Sequence, residues 1–289
     1  MSARPPVIII GMHRSGTSML TRTLQGFGFF MGRGTSRNEE CRFTNTLNYW
    51  VFGQASATWE KPQGVDLLLD CEDVRELVTD YLRGITAGPA SMRYLGAARW
   101  LGARSMHGIQ FPWGWKDPRN TFTLPLWLDI FPNARVLHIM RHGVDVAHSL
   151  RVRRRRAFEQ AASRYRARRS AYVNNPFAPK RSGFAHSVSV ADLGRGLALW
   201  QAYTARAQAH VRSLGDQALE LRYEDLLEAP ESHLGAIIEF CGLDAPREAI
   251  TREARRFRPD RAYAYRQEPE LAEVARAHKD MLASLGYHP

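Results

Sequence analysis

The chain has 289 residues, 44% of them hydrophobic, which is enough for one large domain and excludes wholesale disorder. No apolar run approaches the roughly 20 residues of a membrane span, and the first ten residues lack the features of a signal peptide. The three cysteines are odd in number, lie far apart and give no metal-ligand spacing, so we expect a cytoplasmic protein.

The formal net charge of +11 is concentrated in one segment of the chain. Residues 151–169 hold nine Arg and one Glu, whereas the rest of the chain has 31 basic and 28 acidic residues. This distribution weakens a general nucleic-acid function, which needs a broader basic surface. We predict a single domain over residues 1–289 that carries a basic helical lid, or insertion, at about residues 151–195.

Predicted strands alternate with predicted helices along the chain. Continuous apolar runs predict buried strands at Val7–Ile10 and Ala134–His142, and "FPWGWKDPR" predicts a short strand that Pro118 ends. Between them, "VDLLLDCEDVRELVTDYLRG" predicts one helix that Gly84 ends, and "QALELRYEDLL" later predicts another strand. This alternation predicts an α/β fold with a mainly parallel central sheet flanked by helices.

The stretch "VIIIGMHRSGTSML" predicts a strand, a glycine-flanked turn and a helix, which is the layout of a phosphate-binding loop. Gly11 and Gly16 have the spacing of a nucleotide-triphosphate loop, but Thr17 stands where that loop carries Lys. Because this Lys reaches the outer phosphates, its absence disfavours ATP. The glycines and the N–H groups at the helix start still suit an anion. Further donors are the side chains of Arg14, Ser15, Thr17 and Ser18.

A second cation follows a neighbouring predicted strand. The run "RVLHIM" leads to Arg141, at the place where ATP enzymes of this class carry an Asp that helps to hold Mg²⁺. A cation there repels a metal and attracts an anion. Asp70, which ends "VDLLLD", is a rival carboxylate, but that run is more typical of the start of a helix. We therefore expect a ligand that is anionic at two places, and no metal.

Together these features resemble the sulfotransferases that use 3′-phosphoadenosine-5′-phosphosulfate as sulfuryl donor, in particular bacterial and carbohydrate-type members. "GMHRSGTSML" is similar to their 5′-phosphosulfate loop, and "ARVLHIMRHGVDVAHSL" to their 3′-phosphate motif, with Arg141 and Ser149. "LELRYEDLLEAPESHLGAIIEFCGL" is similar to a later strand–helix unit that places Tyr223 near the adenine, and "WGWKDPR" recurs in bacterial members. His13 departs from the Pro of many members. The C-terminal R-K-G motif is absent, and we expect "RRFRPDRAYAYR" to replace it.

The resemblance implies metal-independent, in-line transfer of a sulfuryl group to a hydroxyl of a glycan, lipid or small molecule, with adenosine 3′,5′-bisphosphate as product. The transferred SO₃ group is formally neutral, so fixed donors suffice where a γ-phosphoryl group needs Mg²⁺. Arg14 and the loop N–H groups are expected to stabilise the leaving phosphate. Ser15, Thr17 and Ser18 are expected to hold the 5′-phosphate. Arg141 and Ser149 are expected to hold the 3′-phosphate.

A hydroxyl acceptor also needs a general base. The resemblance to carbohydrate-type members places this base about two dozen residues after the loop, where Glu39 and Glu40 stand. Lys116 is expected to reach the sulfuryl group or the acceptor, with Asp117 fixing its position. Further candidates for the base are His13 and His107.

Two other functions stay open at this point. A Mg²⁺-dependent small-molecule kinase with a degenerate loop would use Asp70. A non-catalytic binder of nucleic acid or of anionic membranes would use residues 151–169 and show a steep salt dependence. We expect no nucleic-acid partner and no membrane span, and the basic segment favours an acidic acceptor.

Overall fold

A computed structural model of the protein describes residues 3–36, 38–180, 183–184 and 187–287. The contacts divide the chain into two compact units. The first comprises Met1–Arg141 and Tyr203–Tyr263, and the second comprises His142–Ala202 and Ala264–Pro289. Among the described residues, no helix is both long enough and apolar enough to cross a membrane.

Strands and helices alternate through the described chain. The strands are β1 (Val7–Ile10), β2 (Gly114–Lys116), β3 (Arg135–Met140) and β4 (Ala218–Arg222). The α-helices are α1 (Thr17–Gly26), α2 (Arg42–Gln54), α3 (Gly64–Asp70), α4 (Glu72–Ala87), α5 (Met92–Leu95), α6 (Ala97–Ala103), α7 (Asn120–Ile130), α8 (Gly143–Ala167), α9 (Arg169–Val173), α10 (Leu193–Leu214), α11 (Tyr223–Glu228), α12 (Pro230–Phe240), α13 (Arg247–Ala254), α14 (Pro269–Ala277) and α15 (Lys279–Ser284).

The four strands form one parallel sheet in the first unit, in the order β2-β1-β3-β4. In the register of the sheet, Ile9 lies opposite Lys116 and Ile10 opposite His138. The carboxyl ends of all four strands therefore meet at one edge, which is where open α/β sheets place their ligands. The predicted fold class, a mainly parallel sheet flanked by helices, is confirmed.

Both faces of this sheet are buried. Ile8, Ile10 and Val136 pack in one core with residues of α2, α3, α4 and α7. Val7, Ile9 and Ile139 pack in a second core with residues of α1, α11 and α12. Two-sided burial explains why these strands show continuous apolar runs instead of alternation. Each fully buried Ile or Val contributes about 1.5–3 kcal/mol relative to exposure.

A buried hydrogen-bond network joins α2 and α7 to the strands. The Asn120 amide donates to the Ile9 carbonyl at 3.1 Å, and its oxygen accepts from Asn48 Nδ2 at 2.8 Å and Trp115 Nε1 at 3.2 Å. The Asn48 oxygen in turn accepts from Thr123 Oγ1 and Trp127 Nε1 at 2.9 and 3.0 Å. Buried amides are stable only when satisfied in this way.

The helix predicted from residue 65 to Gly84 is in fact two helices, α3 and α4. The helical conformation is interrupted at Cys71, whose φ of −90° and ψ of 97° are extended. Gly84 does not end α4, which continues to Ala87 and buries Leu82 and Thr86. The packing of this buried face outweighs the cost of roughly 1 kcal/mol for a helical glycine.

In the second unit, the 25-residue helix α8 is anchored through its first turns. A Cβ on Gly143 would lie 2.7 Å from the Trp200 ring, so only glycine fits at that position. The Tyr265 ring stacks on His142 with centroids 4.2 Å apart, and the Tyr265 N–H donates to Asp145 Oδ1 at 2.9 Å. In the second half of α8, only Ala161 is fully buried.

Candidate functional site

The two glycines of the loop between β1 and α1 are required by geometry. Gly11 has φ +128°, and a Cβ there would lie 2.5 Å from the Ile139 carbonyl oxygen. Gly16 has φ +104°, and a Cβ there would lie 2.6 Å from the Tyr223 ring. A side chain at either position would meet both an unfavourable backbone conformation and a direct clash. The loop therefore packs tightly on β3 and on the start of α11.

Internal hydrogen bonds fix the shape of this loop. The Gly11 N–H donates to Thr121 Oγ1 at 3.1 Å, and the Ser15 hydroxyl donates to the Met12 carbonyl at 2.7 Å. Ser15 is fully buried, so its hydroxyl closes the loop in the free protein. The predicted contacts of Ser15, Thr17 and Ser18 with a 5′-phosphate stay predictions. Thr121 is a supporting residue that the sequence analysis missed.

The start of α1 presents backbone donors. Within the described chain, the N–H groups of Gly16, Thr17 and Ser18 have no hydrogen-bond acceptor. N–H groups in the first turn of a helix, together with the helix dipole, form a ready anion site. Arg14 precedes them, is exposed and has a left-handed φ of +74°. This part of the molecule is suited to an anion and has its cation on Arg14.

Tyr223 links the loop to the second cation. The Arg141 guanidinium lies 4.7 Å from the centre of the Tyr223 ring, which is the same ring that Gly16 approaches. Arg141 Nη2 also donates to the Arg261 carbonyl at 3.2 Å. Arg14 and Arg141 follow the adjacent parallel strands β1 and β3. The two cations are therefore at the same edge of the sheet.

The structure places the two other predicted parts of the 3′-phosphate site, the stretch "RRFRPDRAYAYR" and Ser149, in different ways. Arg261 belongs to the stretch "RRFRPDRAYAYR". Its carbonyl accepts a hydrogen bond from Arg141, so this stretch contacts the predicted 3′-phosphate residue. Ser149 lies on α8 in the second unit and is half-buried. The shared role of Arg141 and Ser149 toward a 3′-phosphate stays a prediction.

A buried ion pair lies beside the start of α1. Lys116, the last residue of β2, places Nζ 3.4 Å from Glu40 Oε1 and 3.4 Å from Ser18 Oγ, and it donates to the Asn38 carbonyl. The Lys116 and Glu40 side chains are 1% and 10% exposed. Burial raises the pKa of Glu40, and the Lys116 cation opposes this rise. Burial lowers the pKa of Lys116, and Glu40 opposes this decrease.

The segment that carries Glu40 is tied to α1. Ser18 Oγ donates to the Asn38 carbonyl at 2.7 Å, and the Glu40 N–H donates to Ser36 Oγ at 3.2 Å. Glu39 has φ +60° and pairs instead with Arg22 on α1, at 3.5 Å. Of the two predicted glutamates, Glu40 is the one that contacts Lys116. The catalytic assignment of either residue stays a prediction.

The two histidine candidates lie in different places. His13 belongs to the loop itself, and its ring packs edge-on to Trp59 with ring centroids 4.9 Å apart. His107 stacks on Phe131 at 4.7 Å and lines a small cavity with Pro6 and Asn133. Because Pro6 and Asn133 precede β1 and β3, His107 lies at the amino-terminal edge of the sheet. The structure therefore does not bring His107 together with Arg14 and Arg141, which follow the carboxyl ends of β1 and β3.

Asp117 does not hold Lys116, contrary to the expectation from the sequence. Its carboxylate accepts from Asn45, Asn48 and the Arg119 guanidinium at 3.2, 3.0 and 3.2 Å. Arg119 is 3% exposed, and its guanidinium lies 3.6 Å from the centre of the Tyr49 ring. This Asp117–Arg119 pair was not predicted as part of the site. The polar run "KDPRN" after a short strand is the signal that points to it.

The kinase hypothesis needs a carboxylate at the end of a strand, and Asp70 is not at such a position. This residue is the exposed last residue of α3 and does not follow a strand. At the strand ends where such an enzyme carries an acid, this chain has Lys116 and Arg141.

The chain is similar to known proteins in its fold and in its family. The sulfotransferase domain of the olefin synthase of Synechococcus PCC 7002 is 18% identical, with 100% of this chain and 96% of that chain covered and a TM-score of 0.50. Sulfotransferase STF9 from Mycobacterium avium is 14% identical, with 96% and 77% covered and a TM-score of 0.44. At these identities the likeness concerns the fold alone. No curated protein matches the chain. A family model described as the sulfotransferase family matches residues 5–247, and the chain belongs to that family.

Proposed function

We propose that the protein transfers a sulfuryl group from 3′-phosphoadenosine-5′-phosphosulfate to a hydroxyl acceptor without a metal ion. The observation that carries this proposal is the contact of one ring, Tyr223, with both Gly16 and Arg141. That contact brings the helix-start anion site and a second cation together at one sheet edge. A nucleotide with anionic groups at its 5′ and 3′ positions matches such a pair.

On the donor side, the loop holds the 5′-phosphosulfate. The N–H groups of Gly16, Thr17 and Ser18 and the Arg14 guanidinium stabilise the charge that grows on the leaving phosphate. Arg141 holds the 3′-phosphate with its planar, two-pronged donor geometry. Thr17 takes the place of the Lys that would hold the outer phosphate of ATP. A sulfuryl group carries less charge than a γ-phosphoryl group, so these fixed donors suffice.

On the acceptor side, Glu40 is the general base. The pKa of Glu40 is raised by burial, which makes the carboxylate a better proton acceptor than an exposed Glu. Lys116 contacts both Ser18 at the loop and Glu40, so its ammonium lies between the donor site and the base. From there it donates to the sulfuryl oxygens or to the acceptor and keeps Glu40 charged before transfer.

Calorimetry with the nucleotide product tests the donor assignment. Adenosine 3′,5′-bisphosphate is expected to bind without a divalent ion and more tightly than ATP with Mg²⁺. Arg141→Ala removes charge-assisted hydrogen bonds worth about 1.5–3 kcal/mol, so the bisphosphate is expected to bind roughly 10- to 150-fold more weakly. Arg42→Ala, an exposed change on α2, is the matched control. Tighter binding of ATP with Mg²⁺, or an unchanged affinity in Arg141→Ala, contradicts the proposal.

Turnover tests the catalytic assignment. With labelled donor and a panel of glycan, lipid and phenol acceptors, wild-type protein is expected to label at least one hydroxyl compound. Arg14→Ala is expected to reduce the turnover number by about 100-fold or more, since it removes a donor that stabilises the leaving group. If Arg14→Ala keeps full turnover, the leaving-group role of this residue is wrong.

A further inference from the structure

The end of α8 and the start of α9 carry exposed guanidinium groups without acidic partners. We call four of them the basic tip: Arg164, Arg166, Arg168 and Arg169. All four are exposed, and no acidic side chain in the described chain pairs with any of them. By contrast, Arg151 pairs with Glu270 at 2.7 Å, and Arg155 pairs with Glu159 at 3.6 Å.

Such a cluster costs free energy in the isolated protein. Arg164 and Arg168 stand four residues apart, a spacing at which like charges repel each other along a helix. The carboxyl-terminal dipole of α8 offsets only part of this repulsion, and it acts only within the last turn. A surface of opposite charge would remove the remaining repulsion. The basic tip therefore fits an anionic partner.

Aromatic contacts hold α9 and the following loop against the end of α8. The Tyr165 ring on α8 stacks with Tyr172 on α9, with centroids 6.0 Å apart, and meets Phe184 edge-on at 4.6 Å. Lys180 lies 4.3 Å above the Phe184 ring. These contacts join the residues around the basic tip into one surface. The Tyr165 ring packs against the other two rings, which leaves these rings poorly placed to stack on nucleic-acid bases.

Two apolar side chains that follow the basic tip closely in sequence are exposed. Phe177 is 93% exposed and Val173, at the end of α9, is 56% exposed. Exposed apolar side chains that follow several unpaired cations closely in sequence are typical of peripheral membrane binding, in which the cations meet lipid headgroups and the apolar groups enter the acyl boundary. A purely anionic polymer would give Phe177 no apolar environment.

We propose that this surface binds an anionic lipid membrane at its headgroup layer. Four guanidinium groups of the basic tip meet the lipid phosphates, and Val173 and Phe177 insert at the boundary of the acyl chains. The proposal does not depend on the sulfotransferase chemistry. It places the second unit at a membrane surface.

Vesicle sedimentation with the full chain tests this proposal. The probes are vesicles of phosphatidylglycerol mixed with phosphatidylcholine, and vesicles of phosphatidylcholine alone. We expect binding only to the anionic vesicles, and it should weaken as salt is raised. Arg164→Gln, Arg166→Gln, Arg168→Gln and Arg169→Gln combined should reduce it several-hundredfold, at about fivefold for each Arg near an anionic surface. The matched control changes four exposed arginines of the first unit: Arg212, Arg247, Arg252 and Arg255.

A second variant separates a membrane from a soluble polyanion. Val173→Ser combined with Phe177→Ser keeps every charge, and it should weaken vesicle binding about tenfold because the apolar insertion is lost. An oligonucleotide and a polyuronate serve as soluble competitors. The proposal is overturned if anionic vesicles do not bind wild-type protein at low salt. It is also overturned if the control variant loses as much binding, or if the apolar variant binds like wild type. Circular dichroism checks that each variant folds.

Discussion

Lys116→Met should leave Glu40 as an uncompensated buried carboxylate. The two side chains are 1% and 10% exposed, so water screens the pair poorly. Removing one partner of a buried pair costs about 3–5 kcal/mol, and Glu40 keeps a contact with Ser36 Oγ at 3.5 Å. We therefore expect a loss at the lower end of that range, about 3 kcal/mol at about pH 8.

The sign of the pH dependence follows from the pKa of Glu40. Burial already raises this pKa above the ordinary value of 4.5, and loss of Lys116 raises it further. A group whose pKa is raised in the fold contributes stability below its unfolded pKa, and this contribution is lost as pH rises through the folded pKa. The free energy of unfolding of Lys116→Met should therefore be closer to wild type at about pH 5 than at about pH 8.

Urea unfolding at both pH values measures these differences. Adding Glu40→Gln to Lys116→Met removes the stranded charge and should recover about 2 kcal/mol, which a double-mutant cycle reports as coupling. Lys61→Met, an exposed change, should stay within about 0.5 kcal/mol of wild type. An equal loss at both pH values, together with no recovery in the double variant, would refute the reasoning.

Three further changes address the site directly. Gly16→Ala imposes a left-handed alanine, at about 1–2 kcal/mol, and a Cβ 2.6 Å from the Tyr223 ring; calorimetry should show adenosine 3′,5′-bisphosphate binding at least about tenfold more weakly. Glu40→Gln should lower the turnover number about 100-fold or more while product affinity stays unchanged. Wild-type turnover should rise with pH through the raised pKa of Glu40, and this rise should disappear in the variant. Arg141→Lys keeps the charge but loses the planar group over Tyr223, so we expect about tenfold weaker product binding, and an unchanged affinity would contradict that role.

The sequence predicted the sheet and the loop because their signals are local. The apolar run Val7–Ile10 predicts a buried strand through residue type alone. The glycines at 11 and 16 predict an anion-binding turn through their spacing. Arg141 was located because it follows directly on an apolar run. These features depend on neighbours in sequence, and parallel strand ends meet at one edge by topology.

Other parts of the site depend on contacts between distant segments. Thr121 receives the Gly11 N–H across 110 positions of sequence, and no local pattern marks it. Asp117 stands next to Lys116 in sequence, but its oxygens bind Arg119 and amides from α2. Successive residues at the end of a strand point to opposite sides, so adjacency in sequence misled the prediction of that pair.

The Asn48–Asn120 network has a consequence for how this enzyme diverges. Asn48 belongs to α2, the helix that also carries Tyr49, whereas Asn120 donates to the carbonyl of Ile9 in β1, the strand that precedes the loop. One network thus joins α2 to the strand before the loop. Under the proposed function, new acceptor preferences should arise through replacements on the exposed side of α2, since any shift of its buried side would also disturb the loop.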